Sequence, residues 1–336
     1  MNAPSDSPVS SCWVLTDGSV GMEIQCLGLA EALGCVPQVK RIQVTKPWRW
    51  LPSGLIPNPL GTIGPKRDQL SPPWPELLIS CGRQSVAVAA AIRRANGGKT
   101  FAVHIQDPKV DPARFDTLIV PSHDRLRGGN VLVATGALNR ITDARLAEAA
   151  AAYETRLLHI PRPRITVLIG GNNKVYRLTR GITRRLGQGL AELAKREGAG
   201  LLITPSRRTA PDRVDILREA LAGCASVIWN GAGENPYFAY LALADALVVT
   251  GDSVNMVSEA ATTGKPVYVV DLLGGSAKFR RFHDGMRRAG ITRRFEGRLE
   301  HWSYPALRDT EKIAAEIRAR LNTWQEGRGR PERPAA

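Results

Sequence analysis

Twice along the chain, short β-rich apolar runs alternate with helix-patterned stretches. That alternation limits the fold more than any other feature of the sequence. In the first series the expected strands are Cys12–Thr16, Leu77–Ser80, Thr100–Gln106, Thr117–Pro121 and Val131–Thr135, with helices at Met22–Leu33, Ser85–Ala95 and Asp143–Leu157. In the second the strands are Ile165–Ile169, Leu201–Thr204, Ser226–Trp229, Ala246–Thr250 and Pro266–Val270. The helices between them are Leu178–Arg196, Pro211–Ala222, Pro236–Leu243 and Val254–Thr263. Strands that alternate with helices build parallel, doubly wound sheets. Between the two series lies Pro161-Arg162-Pro163-Arg164. Proline fixes φ and cannot donate to a ladder, so this reads as a stiff, polar linker.

The expected fold class is therefore α/β, with two Rossmann-like doubly wound parallel-sheet domains facing a cleft. A length of 336 residues suits two such domains. The boundaries read as 11–160 for an N-terminal domain and 161–308 for a C-terminal one. A last helix over 309–325 is expected to pack back across the domains, ahead of a flexible tail at 326–336. In such sheets ligands sit beyond the carboxyl ends of the strands.

Several classes drop out at this level. No run of about 18 apolar residues occurs, so no membrane-spanning helix is expected. The first ten residues lack the basic and apolar regions of a secretory signal. The five cysteines are scattered with no CxxC pair, which predicts neither a disulfide scaffold nor a zinc site and suits a cytoplasmic protein. No HExxH or other histidine–carboxylate spacing appears, so no metal is expected. The net charge is +15. Most of the excess lies after residue 160 and is chiefly arginine, the side chain that pairs bidentately with phosphate. Nucleotide phosphates, an anionic membrane surface and nucleic acid all fit that charge. Nucleic acid ranks last, because no aromatic-interleaved basic motif accompanies it.

Candidate chemistry falls on the loops that follow strands. Asp17-Gly18-Ser19-Val20-Gly21 leads from a strand into a helix, whose free N–H groups favour an anion. Gly170-Gly171-Asn172-Asn173-Lys174 is the equivalent loop of the second series, able to meet a diphosphate or sugar hydroxyls. Ser206-Arg207-Arg208-Thr209 offers hydroxyl and guanidinium groups just before a helix that opens at Pro211. The fullest segment is Gly251-Asp252-Ser253-Val254-Asn255, followed by Glu259 about one and a half turns into the next helix. Ser253, Asn255 and the helix end can hold phosphate oxygens, and a carboxylate at Glu259 can accept from both hydroxyls of a ribose. Ser276 and Lys278 sit on a later glycine loop pointing the same way. His123 follows a strand end. Each loop also admits the plainer reading of an ordinary capped turn. Lys46–Pro75 differs in kind: Trp48, Arg49 and Trp50, with Leu55 and Ile56, suit an interfacial patch on anionic lipid, or else an ordered loop packed on its own domain.

These residues in their longer context carry a resemblance. WVLTDGSVGMEIQCLGLAEAL, KTFAVHIQDP, FDTLIVPSHD, TGALNRIT, SRRT, NPYFAYLALADALVVTGDSVNMVSEAATTGKPVYVV and FEGRLEHWSY together resemble the mitochondrial fission ELM-one-like family over about residues 11–325. That family is similar, more remotely, to glycosyltransferases of the GT-B fold. The likeness implies that Gly251–Glu259 is a donor-nucleotide segment in which Glu259 holds the ribose. The Gly18–Gly21 loop looks like the N-terminal glycine loop of the lipid-II-forming glucosaminyltransferase. The histidine that follows the loop there aligns near Met22 here, next to Glu23.

The resemblance thus implies a metal-independent glycosyltransferase that uses a nucleoside-diphosphate sugar, with UDP the expected nucleotide and no prosthetic group. The acceptor would be lipid-linked or an envelope glycan, met at the inner face of the membrane. Asp17, Glu23 and His123 are the candidate bases, in that order. Two alternatives stay open. One is a non-catalytic adaptor at a membrane surface; the other is a nucleotide-sugar epimerase on the same fold.

Overall fold

The computed structural model describes residues 9–65 and 67–329. Residues 1–8, part of the stretch read as lacking a secretory signal, and 330–336, most of the expected tail, lie outside the described residues. The chain packs as two compact units. One holds the residues up to Arg140 and those from Arg308 onward, and the other holds 141–307.

The first unit is built on a six-stranded sheet with the order β2-β1-β3-β4-β5-β6. Its strands are β1 (Cys12–Thr16), β2 (Gln38–Arg41), β3 (Leu77–Cys81), β4 (Phe101–Ile105), β5 (Thr117–Pro121) and β6 (Val131–Ala134). Every pairing is parallel. The near-continuous apolar sequences of β1, β3 and β4 are explained by burial along their whole length, as expected of strands covered on both faces. Helices α1 (Val20–Ala32) and α2 (Arg83–Ala95) do part of that covering. The polar strand β2 has no apolar run and was not expected from the sequence. It is an edge strand, held by parallel pairing with β1.

The C-terminal helix α9 (Asp309–Gly329) packs on α1, and it buries Ile313, Ala314, Ile317 and Leu321 in the same core cluster as β1, β3 and β4. Its first residue is pinned, since the Asp309 carboxylate accepts from the Gly136 N–H at 2.7 Å. The helix runs through residues 326–329, where a tail was expected.

The second unit carries its own six-stranded parallel sheet, ordered β10-β9-β7-β11-β12-β14. These strands are β7 (Arg164–Ile169), β9 (Gly200–Pro205), β10 (Ser226–Ile228), β11 (Ala246–Thr250), β12 (Val267–Val270) and β14 (Thr292–Arg294). Counted within the unit, the order is 3-2-1-4-5-6, the Rossmann arrangement. Its helices are α3 (Asp143–Tyr153), α4 (Arg180–Glu197), α5 (Pro211–Ala220), α6 (Tyr237–Leu243), α7 (Val254–Thr262) and α8 (Ala277–Arg288). Helix α4 shows how local sequence sets such an element. Thr179 caps it by accepting from the Ile182 N–H at 3.2 Å, and Gly198 ends it in the left-handed region at φ +61°. A two-stranded antiparallel ribbon joins β8 (Tyr176–Arg177) to β13 (Leu273–Gly274).

The proline–arginine segment is not a free linker between the units. It lies inside the second one. Arg164 is 5% exposed and begins β7, and its guanidinium donates to the carbonyls of Ile160 at 3.0 Å and Leu157 at 2.8 Å. Helix α3, placed with the first series by the sequence reading, packs on α6 in the second unit. Leu157 and Ile160 likewise share a cluster with Leu202, Tyr240 and Leu243.

Candidate functional site

In an open parallel sheet the ligand crevice lies where the strand order reverses. In the second unit that point falls between β7 and β11. The loops after β7, β11 and β9 meet there, and a buried carboxylate joins them. Asp252 is 2% exposed. Its Oδ1 accepts from the Thr250 hydroxyl at 2.7 Å, and its Oδ2 accepts from the Gly171 N–H at 3.1 Å and from the Arg208 guanidinium at 2.8 Å. Thr250 Oγ1 in turn accepts from the Gly170 N–H at 2.7 Å.

This network explains the glycine pair. A Cβ on Gly170 would stand 2.2 Å from Asp252 Oδ1, and one on Gly171 would stand 2.0 Å from the Arg208 carbonyl oxygen. The glycines let three loops touch each other. Several residues read as ligand contacts are occupied in the same way. Asn172 Oδ1 accepts from the Leu178 N–H at 2.9 Å. Thr209 Oγ1 donates toward the Ile169 carbonyl at 3.0 Å and accepts from the Ser206 N–H at 2.9 Å. Ser206 Oγ accepts from the Arg208 N–H at 3.2 Å. Arg207, by contrast, is exposed on this turn.

Helix α7 opens at the crevice. Ser253 is its N-cap, with Oγ accepting from the Met256 N–H at 3.3 Å. The remaining first-turn N–H groups of such a helix favour an anion. Asn255 is half-buried on that turn. Gly251 is packed from the other side: His283, on α8, holds its carbonyl oxygen through Nε2 at 2.8 Å. Burial pushes the His283 pKa down, so the ring is neutral and Nε2–H donates.

Glu259 lies deeper on α7 and is 6% exposed. The Tyr237 hydroxyl donates to its Oε2 at 2.5 Å. Burial pushes the carboxyl up to about 7, and the Tyr237 bond pulls the other way. Among the described residues Oε1 has no bond within the protein. Ser276 caps α8 by accepting from the Phe279 N–H at 3.4 Å, and Lys278 is exposed on that helix's first turn. The Gly275 N–H donates to the Val175 carbonyl at 2.8 Å, so this loop is tied to the one after β7.

The first unit has its own reversal point, between β1 and β3. Gly18, at φ +81°, turns the chain there. Asp17 accepts from the Ser19 N–H at 3.0 Å and from Gln84 Nε2 at 3.0 Å. Burial pushes its carboxyl up, but these bonds and the charge of Arg49 outweigh it, and the group lies below its ordinary range. Glu23 is gripped at both oxygens by Arg41, at 2.8 and 2.7 Å. The Gly21 carbonyl accepts from Gln25 Nε2 at 3.0 Å. His123 follows β5, three strand spacings from β1, or ~14 Å across the sheet. The fold does not bring it to the Asp17 crevice.

The expected interfacial patch divides. Trp48 packs on the core beside Ile42 and Val44. Trp50 and Leu55 are each 67% exposed, and the Lys46 ammonium lies over the Trp50 ring at 5.3 Å. Arg49 is exposed between the two tryptophans.

Three site residues were missed from the sequence: Tyr237, Thr250 and His283 in its supporting role. Tyr237 opens a helix after Asn235-Pro236, and that signal marks a helix start without saying what the phenol meets. Among the described residues, no group of three or more His, Cys, Asp or Glu side chains is arranged to hold a metal ion, nor is any helix long and apolar enough to cross a membrane.

Comparison with known proteins fits this geometry. A family model described as mitochondrial fission ELM1 matches residues 20–321. The mitochondrial fission protein ELM1 of Arabidopsis thaliana is 30% identical, over 94% of this chain and 92% of its own. Among solved structures, a UDP-GlcNAc 2-epimerase from Methanocaldococcus jannaschii aligns with a TM-score of 0.55 at 12% identity, covering 91% of this chain and 99% of that one. MurG from Acinetobacter baumannii aligns with a TM-score of 0.50 at 13% identity, over 93% and 92%. At such identities the likeness is one of fold, the GT-B type.

Proposed function

The chain belongs to the mitochondrial fission ELM1 family, and we propose that it is a glycosyltransferase that takes a nucleoside-diphosphate sugar in its second unit. One observation carries this reading. Three strand-end loops and the N-terminus of α7 converge at the reversal point of a Rossmann-ordered sheet, and further along α7 Glu259 keeps one carboxylate oxygen with no bond among the described residues. The solved epimerase in complex with UDP-GlcNAc and UDP shares this fold at a TM-score of 0.53, which supports UDP as the nucleotide.

In this reading the diphosphate lies on the α7 N-terminus, near Ser253 and Asn255, with the exposed Arg207 and Lys278 supplying positive charge. Negative charge that develops on the leaving diphosphate is stabilised by these preset dipoles and charges. Asp252, Gly170, Gly171, Asn172, Arg208 and Thr209 hold the loops in place, and Ser206 and Ser276 shape the turns beside them. Glu259 accepts from the ribose. Asp17 is the first candidate to take the acceptor's proton, because Glu23 is held by Arg41 and His123 stands apart. Trp50, Leu55, Lys46 and Arg49 form the surface proposed to meet an anionic membrane that bears the acceptor.

The state of those carboxylates favours one second reading, a nucleotide-binding adaptor that transfers nothing. Asp17 accepts at both oxygens and lies below its ordinary pKa, so it is a weak base. Calorimetry with UDP, GDP, CMP and their sugars tests the shared premise. Saturable binding, weakened at least ten-fold in Glu259→Ala, is expected. Equal affinity in that variant removes Glu259 from the site. Release of nucleotide from the bound sugar donor when an acceptor is added, lost in Asp17→Asn, separates transfer from binding alone.

A further inference from the structure

Glu259 is not free to use its whole carboxylate. Tyr237 donates its hydroxyl to Oε2 at 2.5 Å, a part-buried contact between a half-buried tyrosine and a buried glutamate. The tyrosine is itself fixed. Its N–H donates to Asn235 Oδ1 at 3.1 Å as α6 opens, and its ring meets Phe238 edge-on at 6.0 Å. It also packs on the apolar cluster formed by β11, β12 and α7. Oε1 has no bond within the protein among the described residues. An ionised carboxylate only accepts, and a ribose offers two donors, its 2′ and 3′ hydroxyls.

We infer that Tyr237 sets the ribose selectivity of this site, holding Oε2 and leaving Oε1 as the single charged acceptor for one of the two hydroxyls. The inference rests on the nucleotide reading above. The second hydroxyl is left with water, the phenol oxygen or an Oε2 that already accepts from the phenol. A neutral oxygen makes a bond about half as strong as a charge-assisted one. The two hydroxyls should therefore count unequally, although a bare carboxylate would serve both alike.

The test is calorimetry of the full chain with UDP, 2′-deoxy-UDP and 3′-deoxy-UDP, and with the matching GDP series. In the wild type, removal of one hydroxyl should weaken binding ten-fold or more, and removal of the other less than three-fold. In Tyr237→Phe, Oε2 becomes available, and the second removal should now cost at least five-fold. Equal penalties for both analogues in the wild type overturn the inference, and so does an unchanged pattern in Tyr237→Phe. The wild-type comparison stands even if that variant does not fold. If neither UDP nor GDP binds, the nucleotide reading falls and takes this inference with it. If one binds with equal penalties, only the inference falls.

Discussion

At the scale of single residues, two carboxylates on one loop–helix segment show opposite solutions to burial. Asp252 is buried with both carboxylate oxygens bonded, to a hydroxyl, a backbone N–H and a guanidinium. Asp252→Ala removes all three bonds and leaves the Gly171 N–H and Thr250 hydroxyl unpaired. A loss of about 2–4 kcal/mol is expected, read by urea unfolding. Glu259 is buried with one phenol bond, and its carboxyl is pushed up to about 7 from 4.5. The folded state therefore keeps a proton on Glu259, between pH 4.5 and about 7, that the unfolded chain has released. Stability falls as pH rises through that window, by on the order of 3 kcal/mol, and the cost persists above it. Glu259→Gln should accordingly raise the melting temperature at pH 8 and leave it nearly unchanged at pH 4.5. Nucleotide affinity should run the other way in the wild type, weakening as pH drops below 7 and the acceptor is protonated. An affinity flat from pH 8 to 5.5 would remove the ionised Glu259 from the binding site.

At the scale of elements, the sequence was legible where burial writes a pattern. The runs CWVLT, LLISC, FAVHI, TLIVP and ALVVT are buried almost throughout, and such runs announce themselves as strands. The edge strands QVKR and TRR carry no such pattern. Pairing with a neighbour holds them, and a sequence does not display its neighbours. The same limit applied to the site. The strand-end loops were readable from glycines and caps, and the loops that carry Gly170 and Asp252 do touch. What each polar group faces was not readable. A Gly-Gly pair looks alike whether it admits a phosphate or a carboxylate of its own chain, and here Asp252 fills the space. Gly170→Ala should therefore destabilise the fold through a Cβ 2.2 Å from a buried carboxylate that cannot yield. Circular dichroism melts would register a lower midpoint with or without nucleotide. Helix α9 makes the matching case in the first unit. Ile317 is fully buried against that unit's core, and Ile317→Ala should cost about 2–4 kcal/mol. A chain indifferent to that change would mean that α9 is dispensable to the unit.

At the scale of the whole molecule, the two units place different chemistry at equivalent points. Each sheet reverses its strand order once, and each reversal is marked by a glycine loop. In the second unit the loops are joined through a buried, compensated carboxylate, with Arg207 exposed on the turn after β9 and Lys278 exposed on the first turn of α8. In the first unit the equivalent loop and the first turn of α1 present Asp17 and Glu23, both bonded acids. Negative ligand and negative side chains repel, so a diphosphate belongs to the second unit, although the chain as a whole carries a net charge of +15. Bulk charge alone would let a nucleotide settle on any basic surface. Hydrogen exchange on the intact chain separates the two cases. Saturating UDP should slow exchange at 170–176, 206–209 and 251–259, and leave 16–25 and 82–84 unchanged. Raising salt from 50 to 500 mM should weaken this protection without abolishing it, because partly buried hydrogen bonds are screened less than surface charge. Slowing concentrated at 16–25 would put the nucleotide in the first unit, and the assignment of Glu259 would fall with it. Weak slowing scattered over the arginine-rich helices, lost at 500 mM salt, would mean that the charge of this chain attracts nucleotides and nothing in it is built to hold them.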